Sequence, residues 1–392
     1  MLFESNIQKP IVQEASDQSL GFYVHSKDQS HTHLIAQRFF QSLQALGAQQ
    51  YLTIDTDRAE SGLVLHVRAN LHLCELTPDY DTTLISGALG LDISRSDKDL
   101  DLEIVLALAR SPFPFVFPSI EEFEASVRTR RNVVRIATDA RISFGTGLGE
   151  VRPTEFFNFH PDSSFTLIPG VSLIHALSQA INPPNYERAY SFSCYRASEY
   201  VMALALAREL EQCHPAMLEQ IQARWMYKPI MSKEFHEVLL LEYGSLDDPV
   251  PMKFYVPGER VWFKNPDERS SDVIGFEGSW VCYIGAGLFN NFWKSNEPFT
   301  LQSKCLEIYH WRHGVEMNQA GELCMNEDIV EHRVRQSCSL PGEVDAILDK
   351  MLRFRDPSGV YDQGGCIDAS REHLRWVVPS TTNICIPPVK LN

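Results

Sequence analysis

The spacing of apolar and polar residues predicts a small mixed unit in the first part of the chain. Residues 20–25, 51–55 and 62–76 have strand-like patterns, and in the third segment Leu63, Leu65 and Val67 alternate on one face, which is typical of a β-strand. Residues 31–46 and 99–110 have the wider spacing of helices. We therefore expect three strands and two helices before residue 111.

A proline-rich segment follows this unit and predicts a boundary. Three prolines within 112–118 are incompatible with a helix or an inner strand, and the alternating aromatic residues suit an extended segment packed on a neighbour. Ser119 and Glu122 have the spacing of a capping box, which predicts a helix start. The glycine-rich run 145–149 lacks the following lysine and the strand–loop–helix setting of a phosphate loop, so we interpret it as a flexible loop.

The remainder of the chain alternates between helical and extended patterns. An extended stretch over 155–168 leads into a short helix over 172–181. The strongest helix prediction covers 193–211, which is rich in Ala, Leu, Met and Glu. The patterns downstream predict strands at 251–263, 279–284 and 305–311, a last helix over 343–354, and an irregular tail.

Composition narrows the class of protein. The 392 residues are 44% hydrophobic and 22% charged, which is typical of a globular chain. A net charge of −16 argues against a nucleic-acid partner, because an acidic surface repels phosphate. No apolar run is long enough to span a membrane, and the first residues lack the pattern of a signal peptide. We expect a cytoplasmic protein, although one exported without a cleaved signal would look the same.

The cysteine and histidine patterns do not predict a metal site. The 9 cysteines are scattered without a C-x-x-C pair, and their odd number is typical of a reducing compartment. His25, His31 and His33 lie close together, but no cysteine or acid stands nearby at ligand spacing. We expect these histidines to lie on a polar surface.

Cys194 is the candidate nucleophile. Ser191 or Ser193 is a suitable N-cap, so Cys194 falls in the first turn of the predicted helix. Free backbone N–H groups and the helix dipole at that position favour a thiolate and can hold the oxyanion of an acyl-transfer intermediate. The alternative is that Cys194 is a small buried hydrophobic residue.

Four short segments carry a family resemblance: Phe192-Ser-Cys194, Trp225-Met-Tyr227, Phe263-Lys-Asn-Pro266 and Phe276-Glu-Gly-Ser279. They resemble motifs of the bacterial spore-coat transglutaminases, which are protein-glutamine gamma-glutamyltransferases with a papain-like, NlpC/P60-like fold. That family places its nucleophile in a Phe-Glu-Cys segment at the start of an Ala-rich helix, and it has a Phe-Lys-Asn-Pro turn after a strand. The resemblance covers roughly residues 119–315.

The resemblance implies an α/β (α+β) architecture with a papain-like cysteine acyltransferase core and an antiparallel sheet. The predicted organisation is an N-terminal mixed α/β domain (1–111), a linker (112–118), a catalytic domain (119–315) and a C-terminal extension (316–392). The implied partners are a protein or peptide substrate with glutamine and a primary amine acceptor, and no cofactor is implied. The added regions suggest a role other than spore-coat cross-linking, such as that of an effector, a toxin or a dedicated modifying enzyme.

The sequence leaves the general base open. The simplest alignment puts Ser279 where the family has its catalytic Glu, and Ser193 where it has a second Glu. Glu277 lies two residues before Ser279 and would share its face of an extended strand, so Glu277 is the first candidate. His310 is the second candidate, since a His on a strand facing the helix forms the Cys–His pair of papain-like folds. His310 and His313 would point to opposite faces of that strand, which argues against a metal site.

The resemblance also implies an aromatic tunnel in which glutamine and lysine side chains meet at the cysteine. Trp225 and Phe276 match its wall residues, and Tyr227 is a further candidate; the alternative for all three is core packing. The expected reaction is acyl transfer through a Cys194 thioester. Two alternatives remain: a cysteine-dependent deamidase or amidase that uses water, and a non-catalytic binding module of the same fold.

Overall fold

The computed structural model describes residues 20–26, 32–59, 62–146, 149–161, 164–185, 189–358 and 364–388. The N-terminal part contains four strands and four α-helices. These are β1 (Phe22–Ser26), α1 (Thr32–Leu46), β2 (Leu52–Ala59), β3 (Gly62–Ala69), α2 (Leu71–Leu76), α3 (Ile85–Leu89), α4 (Asp97–Ala109) and β4 (Phe115–Phe117).

The four N-terminal strands form one sheet in the order β2-β3-β1-β4. The proline-rich segment is extended, as predicted, and its central residues form β4, which pairs in parallel with β1 at the edge of the sheet. The strand predicted over 62–76 is wrong beyond Ala69. Asn70 caps α2 there, because its side chain accepts a hydrogen bond from the Leu73 N–H at 3.1 Å and starts a helix instead.

The middle of the chain is mainly helical. Its elements are α5 (Ile120–Asp139), β5 (Ser143–Phe144), β6 (Phe157–His160), β7 (Ser164–Leu167), α6 (Leu173–Ile181), β8 (Ser191–Phe192), α7 (Cys194–Cys213), α8 (Pro215–Tyr227) and α9 (Lys233–Leu239). Helix α7 matches the strongest helix prediction, and it packs against α5 and α6.

Helix α5 begins where predicted, but the Glu122 side chain has other partners than the predicted capping box requires. The Ser119 side chain accepts from the Glu122 N–H at 3.1 Å, as an N-cap does. The Glu122 carboxylate accepts instead from the N–H groups of Val377 and Val378, at 2.8 and 2.9 Å, and from the Thr381 hydroxyl at 2.7 Å. Glu122 thus ties the C-terminal segment to the start of α5.

The described residues after α9 form the largest sheet and four helices. The elements of this part are β9 (Leu240–Tyr243), β10 (Arg260–Lys264), α10 (Glu268–Ser271), β11 (Gly278–Gly285), β12 (Leu288–Phe289), β13 (Phe299–Thr300), α11 (Leu301–Gly314), β14 (Val315–Met317), β15 (Leu323–Met325), α12 (Glu327–Ser339), α13 (Glu343–Met351) and β16 (Arg371–Leu374). Of the helices, α11, α12 and α13 form an apolar cluster with one face of the sheet. The antiparallel sheet has the order β13-β12-β11-β10-β16-β9. Strand β16, from the predicted C-terminal extension, therefore lies inside it.

Two strand predictions in this part need correction. Residues 251–263 are extended in a strand only from Arg260, and 305–311 form part of α11 instead of a strand. A capping box starts α11, in which the Thr300 hydroxyl accepts from the Ser303 N–H and the Ser303 hydroxyl from the Thr300 N–H. Apolar residues at 305, 308 and 311 then share one helix face and pack under α12 and α13. The strand prediction at 279–284 is confirmed by β11, and the last helix by α13.

The largest sheet lies between two apolar layers. Along β11, Cys282 and Ile284 pack into the cluster that contains α5, α7 and the N-terminal sheet. Val281 and Tyr283 face the second cluster, formed with α11, α12 and α13. This is the α/β class with an antiparallel sheet that the sequence predicts. The domain bounds stay a prediction, since the first cluster includes residues on both sides of 112–118. None of the helices among the described residues is long and apolar enough to cross a bilayer.

Candidate active site

Cys194 is the first residue of α7, as the sequence predicts, and Ser193 is the N-cap. The Ser193 hydroxyl accepts from the Arg196 N–H at 3.3 Å. Just before it, β8 pairs with β5, and the Arg152 guanidinium donates to the Ser191 carbonyl at 2.6 Å while its Cζ lies 3.4 Å from the centroid of the Phe192 ring. These contacts hold the backbone that enters the helix.

The Cys194 sulfur lies against the largest sheet. The Trp280 N–H of β11 donates to Sγ at 3.5 Å, so the first turn of α7 and the strand meet at the thiol. Burial raises the pKa of this thiol, and the Glu277 carboxylate acts in the same direction. The Trp280 N–H, the Lys304 ammonium and the Tyr195 N–H each lower that pKa without reversing the net rise. The helix terminus therefore favours the thiolate as predicted, but burial outweighs it and the resting group is a thiol.

Two cavities meet at Cys194. The larger has a volume of about 550 Å³ and extends towards α11 and α12; the smaller has a volume of about 260 Å³. The residues that line both are Phe144, Cys194, Gly275 and Gly278. Gly275 has a φ of +87°, and a Cβ there would lie 2.6 Å from the Phe144 ring, so a larger residue would displace this shared wall. A thiol at such a junction can be approached from two sides.

The smaller cavity has aromatic walls. Trp262 on β10 and Trp280 on β11 stack with their ring centroids 6.0 Å apart, and Tyr195 meets Trp280 edge-on at 5.6 Å. The Arg260 guanidinium lies 4.3 Å from the Trp280 ring centroid and is held by Glu372 of β16. Strand β16 thus helps to orient the wall beside the nucleophile.

The larger cavity combines aromatic and charged residues. Phe276 meets Trp311 of α11 edge-on, with the ring centroids 5.1 Å apart. The Lys304 ammonium lies 2.8 Å from the Glu307 carboxylate, and both residues line the cavity. Helix α12 closes the far side with Glu327, whose pKa is raised by burial and by the charge of Glu307. This side of the site comes largely from α11 and α12.

The two candidates near the start of β11 lie in different cavities. Ser279 lines the larger cavity and is only 7% exposed, whereas Glu277 is exposed and lines the smaller one. Strand β11 begins at Gly278, after Glu277, and the Glu277 carboxylate accepts from the Gly275 N–H at 3.3 Å. The predicted common face is therefore not formed, because the chain turns before the strand starts. Both residues still lie in a cavity that reaches Cys194.

His310 does not face Cys194. It lies on α11, where its Nε2 contacts the Ser337 hydroxyl at 2.8 Å and its Nδ1 contacts His313 Nδ1 at 3.0 Å. Burial and the neighbouring His313 lower the pKa of His310 to about 4, and neither cavity includes it. The prediction of a strand histidine paired with the cysteine is wrong, because the segment is helical and the two histidines share one helix face.

Of the three predicted wall residues, only Phe276 lines a cavity at Cys194. Trp225 is fully buried and packs against Tyr200, with the ring centroids 6.0 Å apart, so core packing is its place in the structure. Tyr227 is 57% exposed and lines neither cavity. The aromatic walls come instead from residues that the sequence analysis missed: Phe144, Trp262, Trp280, Trp293 and Trp311.

One signal in the sequence pointed to part of this set. Trp280 directly follows Ser279, the residue aligned with the family's catalytic Glu, and it is placed beside Cys194 by the strand pairing. Glu307 lies in the segment 305–311, for which a strand is predicted, and Lys304 lies just before it; both belong to α11, so the sequence did not indicate their position in the site. Among the described residues, no group of three or more His, Cys, Asp or Glu side chains is arranged to hold a metal ion. His31 lies outside the described residues.

Known proteins that are similar to this chain include a protein family and a solved structure. The model of the protein-glutamine gamma-glutamyltransferase family matches residues 88–381, which is more than half of the chain. A solved structure of a transglutaminase from Geobacillus stearothermophilus (without its C-terminal extension) is similar at 18% identity, with a TM-score of 0.38. The match covers 56% of this chain and 98% of that one. No curated protein matches the chain.

Proposed function

Because the chain belongs to the protein-glutamine gamma-glutamyltransferase family, an enzyme family of acyl transfer on protein glutamine, we propose that Cys194 is its nucleophile. The main support is the position of the Cys194 sulfur, where the first turn of α7, the Trp280 N–H and two cavities meet. A thiol with two approaches suits a reaction in which two side chains must reach the same atom.

The proposed reaction proceeds through a thioester. The Cys194 thiolate attacks the carboxamide carbon of glutamine, the C–N bond breaks, and ammonia leaves with the proton that came from the thiol. A primary amine then attacks the thioester carbon, loses one proton and releases Cys194 as a thiol. Backbone N–H groups at the start of α7 suit the role of oxyanion donors, as their effect on the Cys194 pKa indicates for Tyr195.

Glu277 is the proposed proton acceptor. It lines the smaller cavity together with Cys194, and its charge acts on the thiol. Ser279 approaches from the larger cavity and has no basic group, so its proposed role is to orient the bound amide or amine. His310 is not proposed again, because it is enclosed by Ser337 and His313.

The two cavities also suggest how the substrates are divided. The larger cavity is lined by four carboxylates and three basic side chains, and this acidic excess favours a cationic amine, so we assign the lysine or other primary amine to that side. The aromatic walls of the smaller cavity suit the methylene stem of a glutamine and keep water from its amide. The acceptor and the glutamine would then meet at Sγ from opposite sides.

The test is incorporation of a fluorescent primary amine into a glutamine-rich protein. The parent is expected to label the acceptor protein, and Cys194→Ala is expected to abolish labelling. Cys338→Ala is the matched control, because Cys338 is exposed on α12 and should be dispensable. Labelling that survives in folded Cys194→Ala would refute the proposed nucleophile.

A second candidate function is deamidation by water through the same thioester. The exposure of Glu277 favours it, since water can reach the proposed proton acceptor in the cavity that also contains Cys194. Release of ammonia from a glutamine peptide without added amine, lost in Cys194→Ala, would favour this reaction. Absence of both activities, with Cys194 reacting no faster than a free thiol, would favour a non-catalytic binding module.

A further inference from the structure

Lys304 occupies an unusual position for a lysine. Its side chain is only 4% exposed, and its ammonium lies 2.8 Å from Glu307 and 3.8 Å from the centroid of the Phe299 ring. Removing an ammonium from water costs free energy, and a buried ion pair generally adds little to the stability of the fold. The same apolar layer could have been completed by a methionine or leucine at this position of α11. The pair therefore calls for an explanation other than folding stability.

The Lys304–Glu307 pair lies in the same cavity as Cys194, the proposed nucleophile. Lys304 and Glu307 line the larger cavity, and Cys194 lines the same cavity. The Lys304 ammonium acts on the thiol in the direction that favours the thiolate, opposing both burial and Glu277. Lys294 also lines this cavity, but its side chain is 45% exposed and forms an ion pair with Glu331, which is exposed as well.

We propose that Lys304 is a positioning residue of the active site, which stabilises the Cys194 thiolate across the larger cavity, and that Glu307 holds its ammonium in place. This inference rests on the proposed nucleophile. The thiol proton passes to Glu277, the acceptor proposed above, while Lys304 keeps its three protons and Glu307 remains ionised. No bond to Lys304 forms or breaks, and its contribution is electrostatic.

Two neighbours of Cys194 are uncharged: Ser193 lines the smaller cavity and Ser279 lines the larger one. Neither hydroxyl carries a charge that could offset the burial of a thiolate. A nearby ammonium compensates by lowering the free energy of the thiolate, which burial would otherwise disfavour.

Other charged side chains near Cys194 also affect its titration. Lys294, Glu297, Glu327, Glu331 and Arg335 line the larger cavity with Lys304, and Glu277 lines the smaller one. Burial and the charge of Glu307 raise the pKa of Glu327, so alkylation profiles should be compared between variants and not with a model thiol alone. The difference between parent and variant then isolates Lys304.

The experiment measures the rate of Cys194 alkylation by iodoacetamide as a function of pH, read on the Cys194 peptide by mass spectrometry. Lys304→Met keeps the length of the side chain and removes its charge. We expect its pH midpoint to rise by about one unit, with alkylation near neutral pH about tenfold slower. Lys304→Arg should restore most of the parent profile. Lys233→Met is the matched control and should leave the midpoint unchanged, because Lys233 on α9 is 88% exposed and lines neither cavity.

Lys304→Met leaves Glu307 without its partner and could weaken the fold, so the double variant Lys304→Met with Glu307→Gln is measured beside it. The double variant removes both charges and should show the same raised midpoint. A midpoint equal to the parent's in the folded double variant would overturn the inference. Labelling by amine that survives Cys194→Ala would refute the proposed nucleophile instead, so the two failures are distinguishable.

Discussion

Glu103 connects the N-terminal part of the chain to β11, the strand that contacts Cys194. It lies on α4, is fully buried, and accepts from the Ser86 hydroxyl at 2.6 Å and from the Ala286 N–H at 2.8 Å. Ala286 immediately follows β11, and the Tyr283 hydroxyl also contacts the carboxylate at 3.4 Å. Burial raises the pKa of Glu103 to about 6, and these three hydrogen bonds oppose the rise.

The raised pKa makes the stability of the fold depend on pH in a defined direction. The folded protein binds the Glu103 proton more tightly than the unfolded chain, whose glutamates titrate near 4.5. This group therefore stabilises the fold fully below about pH 4.5, and its contribution is lost as the pH rises to about 6. A shift of about 1.5 units corresponds to roughly 2 kcal/mol of unfolding free energy.

Glu103→Gln is the perturbation that isolates this contribution. The glutamine oxygen can accept from Ala286 and Tyr283, and its amide can donate to Ser86, so the contacts persist without an ionisable group. The difference in unfolding free energy, variant minus parent, should therefore increase by about 2 kcal/mol between about pH 4.5 and about pH 7. Other titrating groups are common to both proteins and cancel.

The assay is urea unfolding followed by tryptophan fluorescence across that pH range. Glu121→Gln is the control, because Glu121 is exposed on α5 and should show no such trend. A Glu103→Gln difference that stays constant with pH would refute the reasoning, since it would mean that the buried carboxyl titrates alike in both states. It would also weaken the argument that α4 and β11 form one packed unit.

Three further perturbations test other contacts. Glu122→Ala should lower the unfolding free energy by about 2 kcal/mol and speed proteolysis after β16, since two backbone amides and a hydroxyl lose their acceptor; unchanged cleavage would contradict this. The pKa of His236 is raised by its hydrogen bond to Glu372, so the pair stabilises the fold below about pH 6.5 and less as the pH rises through the folded pKa. His236→Gln should therefore cost about 0.5 kcal/mol in urea unfolding near pH 6 and less near pH 9, and an equal cost at both would refute it. His310→Gln should retain amine incorporation, because His310 contacts Ser337 outside both cavities, and loss of labelling in a folded variant would return it to the mechanism.

Cys194 and its helix could be predicted from the local sequence. Ser193 supplies the N-cap, and the Ala- and Leu-rich segment after Cys194 favours a helix whatever surrounds it. Strand β11 was found for a similar reason, because residues 280–284 form a continuous apolar run, which suits a strand whose two faces both contact apolar layers. Family motifs around these two elements then led to the same chemistry that the family model supports.

The rest of the site required the tertiary structure. The sequence cannot show that β16 inserts between β10 and β9, because strand pairing across more than a hundred residues leaves no local pattern. Trp225 and Trp280 are the same residue type, and only packing decides that the first is core and the second lies beside the thiol. Likewise, the helix terminus of Cys194 is local, whereas the burial that raises its pKa and the Lys304 charge that opposes it come from elements distant in sequence.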